Sequence, residues 1–256
     1  MDQGQESSIS FPFVATFATT LPFHSDPRHH RYRGKRMKHL VHGLVAVFVL
    51  ALISGCATTR TQMSLDVPSP GSAVVSGGKP VVIDAIHDVR VFETDPDDPS
   101  TPSLKKGASY ALDATQRKQA IARKRGGFGK AFGDILLKPG QNVESVTRQL
   151  LTNAFASRGY SVVDAASAPA NAPHVSVDIR QFWAWFTPGF WSASIEAKLD
   201  TLLKIDSPQG HRQVTVKGYG HNSIQVAREA NWQLAYQRAF EDYLKQFADA
   251  ANNNGL

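Results

Sequence analysis

The chain has 256 residues, with 28 Lys and Arg against 22 Asp and Glu, a formal net charge of +6 at pH 7. Six of the basic and three of the acidic residues precede Cys56, which leaves 22 against 19 and a net charge of only +3 for the rest. This balance argues against a nucleic-acid-binding protein, which would need a clustered basic face, and the single cysteine excludes a disulfide within the chain.

The first predicted element is an export signal at residues 37–55. It begins with the basic stretch Met37-Lys38-His39 and continues with an apolar run over residues 40–53, the order found in secretory signal peptides. A membrane span needs about 20 apolar residues, and this run is shorter and interrupted by His42 and Gly43. We therefore expect a cleaved signal peptide rather than a single span or a buried helix.

The signal ends at a lipid-attachment motif. The stretch Leu52-Ile53-Ser54-Gly55-Cys56 resembles the bacterial lipobox, in which the cysteine is lipidated and becomes the new N-terminus. This resemblance implies a diacylglycerol thioether on the Cys56 thiol and a third acyl chain, such as palmitate, on the freed amine. Several chains are needed because one acyl chain binds membranes only marginally. In such proteins a residue other than Asp after the cysteine, here Ala57, usually permits sorting to the outer membrane.

Residues 1–36 fit a signal peptide poorly, because they hold three prolines and a basic cluster over residues 28–36. Either the basic region of the signal is unusually long or the true start is Met37. Residues 37–55 alone make a signal of ordinary length, so we expect residues 1–36 to be a non-native upstream extension.

Residues 56–79 are predicted to be a flexible tether, and residues 80–250 a single periplasmic domain. The tether is poor in large apolar residues, rich in Ser, Thr, Pro and Gly, and contains Gly77-Gly78. Such a composition does not bury a core. The tether would therefore let the domain reach away from its lipid.

The first half of the domain contains one clear strand and one clear helix. Residues 80–92 are β-branched with partial alternation and predict a strand, which an acidic, proline-rich loop at residues 93–108 follows. Residues 113–138 are ambiguous. Asn142 is predicted to cap an amphipathic helix, and Gly159 to end it in the left-handed conformation.

The second half contains a short strand at residues 160–163 and then three strand-like runs. Alternating apolar residues predict strands over residues 174–186, 192–206 and 212–220, separated by turns. Residues 226–250 carry large aromatic residues on one side of a helix. Two main helices on one face of a mostly antiparallel sheet make an α+β two-layer sandwich.

An aromatic run from Phe182 to Trp191 is the candidate contact site. In a hairpin, Trp183 and Trp185 would point to the face opposite Phe182. Only one face can meet the helices, so the other would expose two tryptophans to a partner, a lipid or the membrane interface. The alternative is that residues 93–138 cover that face, because tryptophans are highly buried on average. The candidate contact residues are Trp183, Trp185, Phe186, Phe190 and Trp191.

No catalytic or metal-binding constellation is recognisable in the sequence. The basic, glycine-rich stretch from Arg123 to Lys130 lacks the spacing of a phosphate-binding P-loop, and no Gly-x-Ser-x-Gly elbow occurs. The histidines have no metal-ligand spacing. Asp84 and Asp88 either form a carboxylate pair on one side of the first strand or simply face solvent. We expect no enzyme activity, no cofactor and no metal.

The order of elements resembles the YajG-type uncharacterised lipoproteins of Gram-negative bacteria, over roughly Val81 to Phe247. The similar stretches are residues 150–160, residues 192–205 and Lys217-Gly218-Tyr219 with the helix that follows. Auxiliary lipoproteins of lipid-transporting ABC systems and the lipopolysaccharide-assembly lipoprotein are also similar.

The resemblance implies an outer-membrane lipid anchor and no established catalysis. We therefore expect a lipoprotein on the periplasmic face of the outer membrane, with a domain that acts as a binding or assembly module for an envelope protein or a lipid. The alternative is an accessory subunit of a lipid- or lipopolysaccharide-transport system that holds an acyl chain between sheet and helix.

Overall fold

The computed structural model describes residues 60–69, 77–94, 96–103, 113–125, 131–189 and 191–254. The predicted upstream extension, the signal peptide and Cys56 lie outside the described residues. In the part that is described, no helix is long and apolar enough to cross a membrane.

The described residues form eight strands and three α-helices. The strands are β1 (Thr61–Met63), β2 (Lys79–Asp88), β3 (Ala120–Arg125), β4 (Ala131–Leu137), β5 (Tyr160–Val162), β6 (His174–Thr187), β7 (Ala193–Ser207) and β8 (Gly210–Ile224). The helices are α1 (Ala114–Gln119), α2 (Val143–Ser157) and α3 (Glu229–Asn254). The ambiguous segment of the sequence analysis is thus α1 followed by the β3–β4 pair.

The eight strands form one mixed sheet. Strands β6, β7 and β8 make the long antiparallel meander that the alternation predicted, and β3 pairs antiparallel with β4. The pairings β1–β4, β2–β5, β2–β6 and β3–β6 are parallel. The prediction of a mostly antiparallel sheet is therefore corrected to a mixed sheet, because the early strands join β6 and one another through crossover connections.

Strand β6 organises the sheet because both of its edges are paired. Strand β7 pairs along its whole length, from His174 to Thr187. The other edge is shared by two strands in succession, since β2 pairs with the part from His174 to Ile179 and β3 with Ala184. The junction between β2 and β3 therefore lies beside residues 180–183.

The helix signals of the sequence are confirmed. Asn142 caps α2 in a capping box with Ser145, since the Ser145 amide donates to Asn142 Oδ1 at 2.7 Å and the Asn142 amide donates to Ser145 Oγ at 3.0 Å. Gly159 follows α2 with φ of 79°, the left-handed conformation that costs glycine little. Helices α2 and α3 pack on the same face of the sheet and share its main core.

A second, smaller cluster lies on the opposite face of the sheet. Phe182 belongs to the main core, where its ring stacks on Tyr236 of α3 with centroids 5.2 Å apart. The next residue, Trp183, points the other way, as strand geometry requires. The members of this outer cluster are Ala120, Leu136, Trp183 and Trp185, with Phe92 packed against them.

Residues 60–69 belong to the folded domain, which corrects the predicted tether at residues 56–79. Strand β1 pairs with β4, and both Met63 (1% exposed) and Leu65 (2% exposed) are in the main core. Gln141 fixes the backbone of Leu65, because its Nε2 donates to the Leu65 carbonyl at 2.9 Å and its Oε1 accepts from the Leu65 amide at 3.0 Å. The composition of this stretch did not predict a strand, because most of its residues are polar. Two buried apolar side chains are nevertheless enough to attach it to the edge of the sheet.

Candidate functional site at the aromatic hairpin

The two tryptophans that were predicted to form a contact surface are buried. Trp183 is 1% exposed and Trp185 is 8% exposed. The ring of Phe92 meets Trp183 edge-on with centroids 5.9 Å apart, and Ala120 and Leu136 complete the cover. The predicted alternation along β6 is correct, but the predicted exposure is wrong, because Phe92, Ala120 and Leu136 pack against Trp183 and Trp185 on the second face. The alternative interpretation, cover by residues 93–138, is right for Ala120 and Leu136, whereas Phe92 lies just before that range.

The exposed part of the aromatic run is the turn between β6 and β7. The last paired residues are Thr187 and Ser194, and Trp191 in the turn between them is 87% exposed. Phe186 is half-buried and packs against the main core. Phe190 lies outside the described residues. The candidate contact site is thereby reduced from a face of the hairpin to its tip.

Glu196 links the three strands beside this turn through hydrogen bonds. Its carboxylate accepts from Thr187 Oγ1 at 2.7 Å, on the neighbouring strand β6, and from the Tyr219 hydroxyl at 2.7 Å, on β8. Burial, together with the hydrogen bond to Glu196, raises the pKa of Tyr219 to about 12. The tyrosine therefore stays a neutral donor at physiological pH, and the contact is structural.

Arg90 is a buried cation beneath the outer cluster, and sequence reasoning did not single it out. Its Nη1 donates to the carbonyls of Ala120 at 2.7 Å and Phe182 at 2.9 Å, and its Nη2 donates to the Arg117 carbonyl at 3.0 Å. Asp88 accepts from Nε at 2.7 Å. The guanidinium thus fills the junction between β2 and β3, where strand pairing along β6 is interrupted and carbonyls need donors. A lone arginine in a strand-like run gives no sequence signal for this role.

The remaining candidate groups also make structural contacts. Asp84 accepts from His174 Nδ1 at 2.9 Å, whereas Asp88 holds Arg90, so the two aspartates are neither a carboxylate pair nor simply solvated. Arg123 is 3% exposed, and Arg125 donates to the Ser103 hydroxyl at 3.2 Å. Residues 126–130 lie outside the described residues. Within the described ranges, no group of three or more His, Cys, Asp or Glu side chains could hold a metal ion.

A family model described as "Uncharacterized lipoprotein" matches residues 99–254 of this chain. The expected YajG-type family is thereby confirmed. No curated protein matches.

Several solved structures match this chain at low identity and with TM-scores below 0.5. A crystal structure of a Xanthomonas campestris protein of the DUF330 family shares 12% identity, with 77% of this chain and 98% of that chain covered and a TM-score of 0.37. A hypothetical protein from Chlamydia trachomatis shares 11% identity, with 69% and 99% covered and a TM-score of 0.35. Similarity at this level carries no inference about function.

Proposed function

The chain belongs to the family of uncharacterised, YajG-type lipoproteins, and we propose that it is an outer-membrane lipoprotein with a non-catalytic binding or assembly domain. Lipids on Cys56 hold it on the periplasmic face. The observation that carries this proposal is the lipobox that ends at Cys56, with only four residues between it and the first strand of the domain.

The anchor follows from the chemistry of the lipobox. A thioether-linked diacylglycerol and an acylated amine together bury three acyl chains, and each methylene contributes about 0.8 kcal/mol to membrane binding. That is enough for stable attachment, which one chain does not provide. Ala57 supports sorting to the outer membrane, by resemblance to other lipoproteins.

A binding role rather than a catalytic one is supported by the contacts of the buried and partly buried carboxylates. Two carboxylates in the described part of the domain have structural partners, since Glu196 joins Thr187 to Tyr219 and Asp88 neutralises Arg90 at a strand junction. Among the described residues, we identify no nucleophile paired with a general base. The indole of Trp191 is 87% exposed, and exposed aromatic rings with one polar end are common at contact sites.

The alternative, in which an acyl chain is held between sheet and helix, gains no support from the packing. The layer between β6 and α3 is filled by Phe182, Tyr236 and Phe240, each less than 2% exposed. Their ring centroids lie 5.2 to 6.1 Å apart, which is the spacing of packed aromatic side chains.

The anchor is tested by Cys56→Ser, with Thr58→Ser as the matched control that keeps the acyl acceptor. Cells that express each form from the native gene are fractionated, and the protein is followed in outer-membrane, inner-membrane and soluble fractions. We expect the wild type and Thr58→Ser in the outer membrane and Cys56→Ser outside it. The proposal fails if Cys56→Ser stays in the outer membrane at the wild-type level.

A further inference from the structure

One end of the sheet is tied to the anchor by the strand register. A continuous row of paired residues crosses six strands: Thr61 (β1), Ile135 (β4), Ala122 (β3), Ala184 (β6), Ala197 (β7) and Gly220 (β8). On one side of this row lie Arg60, which precedes β1, the end of β6 at Thr187 and the end of β8 at Ile224. We name this side of the sheet the anchor end, because the chain from Cys56 enters there.

The chain between Cys56 and the sheet is short. Arg60 is held at the anchor end by its ion pair with the buried Asp134, with Nη2 and Oδ2 3.7 Å apart. Only Ala57, Thr58 and Thr59 lie between Cys56 and Arg60. An extended chain spans at most about 3.6 Å per residue, so four steps reach about 14 Å. Lipids on Cys56 would therefore keep the anchor end close to the bilayer surface.

Among the described residues, Trp191 and Val226 are large apolar side chains exposed at the anchor end. Ala193 pairs with Ile224 at the last rung of the β7–β8 ladder. Trp191 lies two residues before Ala193 and is 87% exposed, whereas Val226 lies two residues after Ile224 and is 62% exposed. The two side chains thus occupy matching positions beyond the same rung. Tryptophan is enriched at membrane–water interfaces, where its ring meets headgroups and its N–H stays hydrated.

The opposite end of the sheet has a different character. The β7–β8 turn lies there, and its exposed side chains include Asp206 and His211, which are hydrogen-bonded to each other. Strands β7 and β8 have 15 residues each. At about 3.4 Å per residue they separate the two ends by about 50 Å. A bilayer in contact with the anchor end therefore lies far from this polar turn.

We propose that the domain stands end-on on the leaflet that holds its lipids, with Trp191 and Val226 in the headgroup region. The inference rests on the proposed lipid anchor and names the bilayer as the partner of the hairpin tip. Arg228 and Glu229 are both exposed just beyond Val226 and carry opposite charges. The short link limits the distance of the anchor end from the bilayer, and the two apolar side chains fix its orientation.

The test uses tryptophan quenching in the acylated, full protein purified from membranes. Of its four tryptophans, Trp183, Trp185 and Trp232 are 1%, 8% and 4% exposed, so Trp191 is the exposed one. The protein is reconstituted into vesicles of phosphatidylethanolamine and phosphatidylglycerol, with or without bromine on the acyl-chain carbons nearest the headgroups. The difference between wild type and Trp191→Phe isolates the emission of Trp191, and we expect brominated lipid to remove most of it.

The matched control moves the exposed tryptophan to the other end of the sheet. His211 has a side chain that is 89% exposed, so the double variant Trp191→Phe/His211→Trp should fold and should keep its new emission in brominated vesicles. Equal quenching at both positions would mean that the domain lies flat and would overturn the end-on placement. Unquenched Trp191 emission, in protein whose acyl chains are confirmed by mass, would also overturn the end-on placement. The proposed lipid anchor would still hold in that case. Protein without acyl chains would overturn the anchor itself.

Discussion

Helix α3 lies directly on the backbone of β8 at two glycines, and Gly220→Ala tests this contact. A Cβ at Gly220 would lie 2.0 Å from the Ala235 carbonyl oxygen and 2.6 Å from the Ala239 amide nitrogen. Gly218 is similar, since its Cβ would lie 2.3 Å from the Ala239 carbonyl oxygen. These are backbone atoms, which cannot rotate away as a flexible side chain can. The substitution therefore has to lift α3 off β8.

The expected loss follows from two opposing effects. Restoring ordinary contact means widening the 2.0 Å approach to at least 3.4 Å, and such overpacking costs about 3 kcal/mol at the upper end of its usual range. Replacing glycine stiffens the unfolded chain, which offsets about 1 kcal/mol. The net destabilisation is about 2 kcal/mol, which lowers the Tm of a domain of this size by about 4–8 °C.

The assay is thermal unfolding of Gly220→Ala followed by far-UV circular dichroism, with Lys217→Ala as the control on the same strand. The side chain of Lys217 is 62% exposed, and surface substitutions of this kind change stability by less than about 0.5 kcal/mol. Gly220→Ala should melt well below both the wild type and the control. A wild-type Tm for Gly220→Ala would refute the described packing of α3 on β8.

Three further predictions concern residues that the sequence either misplaced or missed. Trp183→Ala should lower the free energy of unfolding by about 4 kcal/mol, whereas Trp191→Ala should lower it by less than about 0.5 kcal/mol. Equal losses of stability for the two variants in urea unfolding would contradict the assigned burial. Leu65→Ala should lower the free energy of unfolding by about 3 kcal/mol. Unchanged stability would mean that residues 60–69 are a flexible tether after all. Arg90→Met leaves the buried carboxylate of Asp88 without its cation and should lower the free energy of unfolding by about 3–5 kcal/mol. A urea midpoint equal to that of the wild type would disprove this role of Arg90.

The helices and the meander could be predicted from the sequence because each has its own local pattern. Along β7 every second residue from Ile195 to Ile205 is buried, and all of these except Thr201 are apolar, so the period of two shows in the sequence itself. Helix α2 begins at the capping pair of Asn142 and Ser145 and ends before Gly159, and each of these signals lies within a few residues of the boundary that it marks.

Strand pairing and the cover of the hairpin could not be predicted, because both depend on distant parts of the chain. Whether β2 and β3 run parallel to β6 depends on crossover connections, which leave no mark within a strand. Trp183 is buried by Phe92, Ala120 and Leu136, all at least 47 residues away in the sequence. The alternation of β6 therefore predicted which side chains share a face but not which face meets solvent.

The lipid anchor is the central claim, and an intact mass of the protein tests it most directly. The chain is expressed from its native gene and recovered from the membrane fraction without proteolysis. We expect a mass equal to residues 56–256 plus a diacylglycerol and a third acyl chain. The mass of an uncleaved chain without lipid would contradict it and would leave both the outer-membrane location and the end-on contact of Trp191 without a basis.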